Sequence, residues 1–139
     1  TDPYNATGKE EKITATATIG LPTPVYYAPA SAPGLLSTAF EPITNVSAGS
    51  TVLINSTVKN VASTSKYIVI LVQVMDAEGH PVYFTYHINP SVAPGQVVSA
   101  LDPWTPTEPG TYKIRILVTD ALVGGKAISE PVEMTIKVV

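Results

Sequence analysis

The chain has 139 residues, of which 45% are hydrophobic and 14% charged, with 13 prolines, no cysteine and a formal net charge of -3. This length suits one domain able to bury a core without disulfide staples, and the missing cysteines exclude thiol redox and thiolate–metal chemistry. Eight scattered basic residues exclude the footprint of a nucleic-acid binder and a polybasic membrane patch, while abundant Thr, Ser, Val and Pro predict an all-β protein.

Residues 1–11 are polar and are expected to be mobile in a free monomer. Strict alternation follows, with Ile13, Ala15, Ala17 and Ile19 at every second position between threonines. That is the period-two pattern of a half-buried strand, ended here by Gly20 and Pro22. Residues 1–21 thus read as a tail and extension strand, a candidate donor strand, and residues 22–139 as the main domain. Within that domain residues 22–42 hold Pro22, Pro24, Pro29, Pro33 and Pro42. Such a segment suits an extended connector crossing an edge, or a long loop, better than a central strand.

Residues 51–59 alternate so that Val52, Ile54, Ser56 and Val58 share one face and Asn55 points to the other. Residues 67–75 form an almost unbroken apolar run, which predicts a strand covered on both faces. Val69 and Leu71 therefore need a cover, from a partner surface or from residues 22–42. A turn over residues 76–81 leads into an aromatic and β-branched strand at 82–88, and Ala93-Pro94-Gly95 precedes another at 96–101. Pro109-Gly110 opens the clearest alternation, with Tyr112, Ile114, Ile116 and Val118 on one face. After Gly124-Gly125 the last strand turns Val132, Met134, Ile136 and Val138 inward. Seven or eight strands at this spacing predict a sandwich or barrel with an N-terminal extension strand.

Residues 46–139 resemble the immunoglobulin-like modules of archaeal and bacterial cell-surface proteins, notably the CARDB-like group. The resemblance lies in Asn55 to Asn60 before a short polar loop, in Ala93-Pro94-Gly95-Gln96, and in Trp104-Thr105-Pro106 ahead of Pro109-Gly110-Thr111-Tyr112. It implies an immunoglobulin-like β-sandwich, with Tyr112 as its corner tyrosine and Trp104 near the loop end of the core. Such folds host many functions, so sites must be argued from residues.

Three asparagines, Asn5, Asn45 and Asn55, open Asn-x-Ser/Thr tripeptides. Acceptors of this kind are modified on exposed backbone of exported proteins, which predicts an extracellular, surface-located glycoprotein carrying N-linked glycans. No apolar run approaches the length of a spanning helix and no signal peptide is visible at Thr1, so a mature or trimmed chain without direct membrane insertion is expected. His80 and His87 lack a nucleophile in a recognisable setting, and Ser56 and Ser99 lack a Gly-x-Ser-x-Gly elbow, so no enzyme is expected. Asp76 and Glu78 share a turn and are the first candidate ligands for calcium; Asp102, Glu108, Asp120 and Glu130 are read as loop carboxylates near strand ends, where hard oxygen ligands could converge on the same ion.

The feature with most functional content is the strand at residues 13–19. It either pairs within its own sandwich or enters a neighbour's open edge, where backbone hydrogen bonds supply affinity and small side chains enter without deep pockets. The expected function is a structural subunit of an extracellular archaeal filament, tube or surface layer, polymerising with identical subunits by N-terminal strand addition. In organisation it resembles donor-strand-linked filaments and cannula-like tubes. The alternative is the soluble binding domain of a pilin-like archaellum or pilus component that recognises surface-layer protein or glycan.

Overall fold

The computed structural model describes residues 26–139; the candidate donor strand and Asn5 lie outside them. The described residues form seven strands: β1 (Gly34–Leu36), β2 (Val52–Lys59), β3 (Lys66–Met75), β4 (Pro81–Val92), β5 (Val97–Trp104), β6 (Gly110–Thr119) and β7 (Val132–Val138). No helix occurs among them. The strands build a three-stranded sheet, β1-β2-β5, and a four-stranded sheet, β4-β3-β6-β7, all pairs antiparallel. The two sheets enclose one hydrophobic core, a β-sandwich as the strand spacing allowed and of the immunoglobulin-like kind that the resemblance implied.

Alternation explains most of the core. Val52, Ile54 and Val58 of β2 and Ile114, Ile116 and Val118 of β6 are buried, because successive side chains in a strand point to opposite faces. Central β3 is buried on both faces at its start, where Ile68, Val69 and Ile70 are all enclosed. On the outer face Val69 lies in register between Ile88 of β4 and Thr119 of β6, so its own sheet contributes to its cover. Leu71, between Tyr86 and Leu117, is half-buried.

The described part of the proline-rich segment runs beside β2. Ala30 bridges Val58, the Ser31 N–H donates to the Thr57 carbonyl at 3.0 Å, and β1 pairs with residues 53–55. Pro29 and Pro33 have no N–H to give to a ladder, so pairing is interrupted and the strand stays short and at the edge.

Polar clasps close both ends of the sandwich. Where β2 ends, Asn60 is fully buried. Its Nδ2 donates to the carbonyls of Val92 at 2.8 Å and Thr64 at 3.1 Å, and its Oδ1 accepts from the Ala62 N–H at 2.9 Å. Its main chain accepts from Gly95 and donates to the Gln96 carbonyl. Val92 ends β4, so this one side chain ties the first sheet to the second. At the opposite end the Tyr112 hydroxyl donates to the Glu108 carbonyl at 2.7 Å, and its ring meets Trp104 edge-on with centroids 5.3 Å apart. Both residues therefore hold the places that the resemblance implied.

Asn60→Ala removes three side-chain hydrogen bonds and is expected to cost about 3 kcal/mol, at roughly 1 kcal/mol each. Urea denaturation checks this; a loss under about 1 kcal/mol would mean that the asparagine does not hold the sheets together.

Candidate functional site

β4 is an edge strand with an inverted distribution of side chains. The regular register with β3, from Val69↔Ile88 to Val74↔Tyr83, turns Val82, Phe84, Tyr86 and Ile88 outward, all exposed, while Tyr83, Thr85, His87 and Asn89 face the interior and are half-buried. Phe84 and Tyr86 lie against each other, with centroids 6.4 Å apart. Across the outer face of the sheet the chemistry changes by strand. Apolar residues occupy β4, whereas Arg115 and Lys113 of β6 meet Glu133 of β7 at 3.1 and 3.7 Å. Charge of this kind guards an edge against further pairing, and the twelve residues of β4 do not carry it.

His87 also forms a polar seam between the sheets. Its Nε2 lies 2.7 Å from Oδ1 of Asp102, which projects inward from β5 and is buried. The expectation of a loop carboxylate is corrected at this position: Asp102 belongs to β5 and pairs with Ile54. Its Oδ2 and the Oγ of Ser56 are enclosed without a hydrogen-bond partner among the described residues. Burial, and secondarily the charge of Asp102, raises the Tyr83 hydroxyl above its ordinary pKa. The seam was not legible in the sequence, because His87 and Asp102 belong to different sheets and no local pattern joins them.

The β3–β4 turn brings the two calcium candidates together and adds His80. Ligand atoms of Asp76, Glu78 and His80 lie within 4.8 Å of one another. Asp76 Oδ1 accepts from the N–H groups of Glu78 and His80 at 3.0 and 2.8 Å, and Oδ2 lies 3.3 Å from His80 Nδ1. An aspartate that accepts backbone bonds two and four residues on is a turn-forming side chain, so the turn itself accounts for its orientation. Calcium would need further oxygens from carbonyls or water to complete its shell. The turn borders an open groove of about 580 Å³ whose far wall is the end of β5, the loop after it and the start of β6.

Of the two described sequons, Asn45 is exposed in the loop before Val46, and Asn55 is half-buried in β2 on the outer face, opposite Gly34 and Leu101. Phe40 escaped the sequence reading. It is 65% exposed at a turn and holds a positive φ of 63°, a backbone strain that bulky residues seldom carry.

Two outcomes check the polar groups. The backbone donation from His80 is the leading cause that holds the Asp76 carboxyl below its ordinary 3.8. Its stabilisation is therefore complete above the unfolded value and is lost as pH falls through the lower folded one. NMR titration should give a midpoint under 3.8 for Asp76; a midpoint at or above that value would contradict the turn geometry. At the seam, His87→Ala strands a buried carboxylate and should cost about 2 kcal/mol, most of it recovered by adding Asp102→Leu. Additive losses in the double variant would show that the two side chains are not coupled.

A family model described as SlaA-like, S-layer A-like, matches residues 32–132. Curated protein sequences give no match. Among solved structures, the C-terminal domain of wzt is similar with a TM-score of 0.59 and 14% identity, over 84% of this chain and 82% of that one. The CARDB domain of a Pyrococcus furiosus protein, in complex with di-metal ions, is similar with a TM-score of 0.56 and 17% identity, over 84% of this chain and 98% of that one. A β-glucuronidase of glycoside hydrolase family 2 is similar with a TM-score of 0.56 and 15% identity over 75% of this chain, which spans 11% of the enzyme. Likeness at such identities shows the fold alone. The sequence match extends over most of the sandwich, and the chain belongs to the SlaA-like (S-layer A-like) family, as an immunoglobulin-like cell-surface module.

Proposed function

We propose that the protein is a structural subunit of an extracellular archaeal surface assembly, whether filament, tube or layer, whose copies are joined when residues 13–19 of one enter a neighbour as an added strand. The observation that carries this reading is membership of an S-layer A-like family over residues 32–132. Two features support the finer part. Residues 13–19 alternate small apolar residues with threonine, as a strand that pairs through its backbone requires. The sandwich also keeps a long edge free of protecting charge. A contact of this kind between unlike surfaces does not close on itself, so it propagates.

The subunit acts without catalysis. His80 and His87 are each engaged by an aspartate, one shaping a turn and the other joining two sheets. N-linked glycan at exposed Asn45 fits an outward-facing surface and would supply hydration that a sparsely charged chain lacks.

Electron microscopy and light scattering of the full chain test the reading, with an excess of a synthetic peptide spanning residues 11–21 and with the variant Ala17→Asp. Ordered polymers are expected from the unaltered chain. They should be lost with the peptide and absent in the variant, whose unfolding midpoint stays unchanged. Polymers indifferent to both would overturn joining through the N-terminal segment, and a chain that stays monomeric throughout would overturn the assembly role.

A further inference from the structure

We infer that the acceptor for the N-terminal segment is the edge of β4 left open among the described residues, in a neighbouring copy, an assignment that rests on the reading of the protein as an assembly subunit. The described sandwich has four strands at sheet edges: β1, β5, β4 and β7. β1 is three residues long and offers too few backbone groups for a seven-residue partner. β7 alternates Glu133, Thr135 and Lys137 on its outer face, and such charges oppose further pairing. β5 is shorter, at eight residues, and its outer row of Val97, Ser99, Leu101 and Pro103 carries no aromatic residue to meet the incoming isoleucines. β4 remains, twelve residues long with its prolines, Pro81 and Pro90, near the two ends, and free of charge on its outer row.

The two faces of β4 match the two faces of the incoming segment. Side chains on neighbouring strands pair on the same face of a sheet, and apolar or aromatic rows stabilise one another there. A strand added beside β4 sets Ile13, Ala15, Ala17 and Ile19 against Phe84, Tyr86 and Ile88, extending an apolar face that is already exposed. The same pairing sets Thr14, Thr16 and Thr18 against Tyr83, Thr85, His87 and Asn89, a polar row half-open at the seam. A slip of one residue would put threonine against the aromatics and isoleucine against the polar row, so the faces fix the parity of the register.

The chain geometry favours a neighbour over the same molecule. Tyr27 is held where β3 begins and β4 ends: its carbonyl accepts from the Val61 N–H, and Lys66, which pairs with Val92, lies 4.9 Å from its ring centroid. Only residues 20–25 separate Ile19 from Tyr26, a span of about 20 Å when extended. Pro22 and Pro24 within it favour an extended path and oppose the tight reversal needed to lay the segment antiparallel along its own β4.

The chain contains no cysteine, so disulfide trapping reports the contact without background. Full chains carrying Ala17→Cys are mixed under oxidising conditions with full chains carrying Phe84→Cys, Tyr86→Cys or Ile88→Cys in β4, Leu101→Cys in β5, or Thr135→Cys in β7. Mixed dimers are expected with at least one β4 position, enriched several-fold over the β5 and β7 positions and abolished by an excess of the peptide spanning residues 11–21. Equal or stronger trapping at Leu101 or Thr135 would overturn β4 as acceptor and leave strand addition standing. Trapping at none of these positions while polymers form in the Ala17→Asp variant would overturn strand addition as well. A chain carrying both Ala17→Cys and Tyr86→Cys that closes its disulfide within one molecule at high dilution would overturn the neighbouring copy as partner.

Discussion

One buried asparagine holds the two sheets in a fixed relation. Apolar contact drives the sheets together but is indifferent to small slides of one over the other. Asn60 adds direction, because its amide bonds the last residue of β4 and the loop that follows β2, while its main chain grips the turn between β4 and β5. All its side-chain groups that can be satisfied in that enclosed place are satisfied, so it contributes specificity without the penalty of a stranded polar atom. In a chain without cysteine this clasp and the Tyr112 hydroxyl at the far end do for the sandwich ends what a cross-link does in other exported domains.

Within that fixed relation β4 is turned inside out. By the usual rule the apolar members of an alternating strand face the core, and the sequence of residues 82–88 offers Val82, Phe84, Tyr86 and Ile88 for that place. The observed register assigns the core-facing row to Tyr83, Thr85, His87 and Asn89 instead. The exchange is tolerated because His87 finds Asp102 across the seam and because the inner row lies at the margin of the core. The outer row is flanked on its own sheet by residues such as Val69 and Leu71 but stays exposed, which is why it has functional interest.

Much of the architecture was legible beforehand. The alternation in β2, β6 and β7 located their inner faces residue by residue, the Asp76 and Gly79 turn marked the β3–β4 hairpin, and Pro109-Gly110 marked the start of β6. Periodicity could not show β1, three residues among prolines whose pairing depends on β2 being there to receive it. Nor could it show that Asp102 points inward, since a carboxylate followed by proline ordinarily signals a loop. The turn carboxylates Asp76 and Glu78 were found together as expected, but their neighbour His80 and the backbone bonds that orient Asp76 are consequences of the folded turn. Long-range partners such as His87 and Asp102 leave no periodic trace, and only the closed sandwich brings them within 2.7 Å.

On the proposed reading, the seam beneath β4 would couple the inside of a subunit to a strand laid on its edge. His87 is now partly open to water, and water weakens its attraction to Asp102. A strand laid along β4 would displace that water, lower the local dielectric and strengthen the bond between the sheets. Each joint would then rigidify the very unit it engages, and a growing array would become mechanically tougher than its isolated building block.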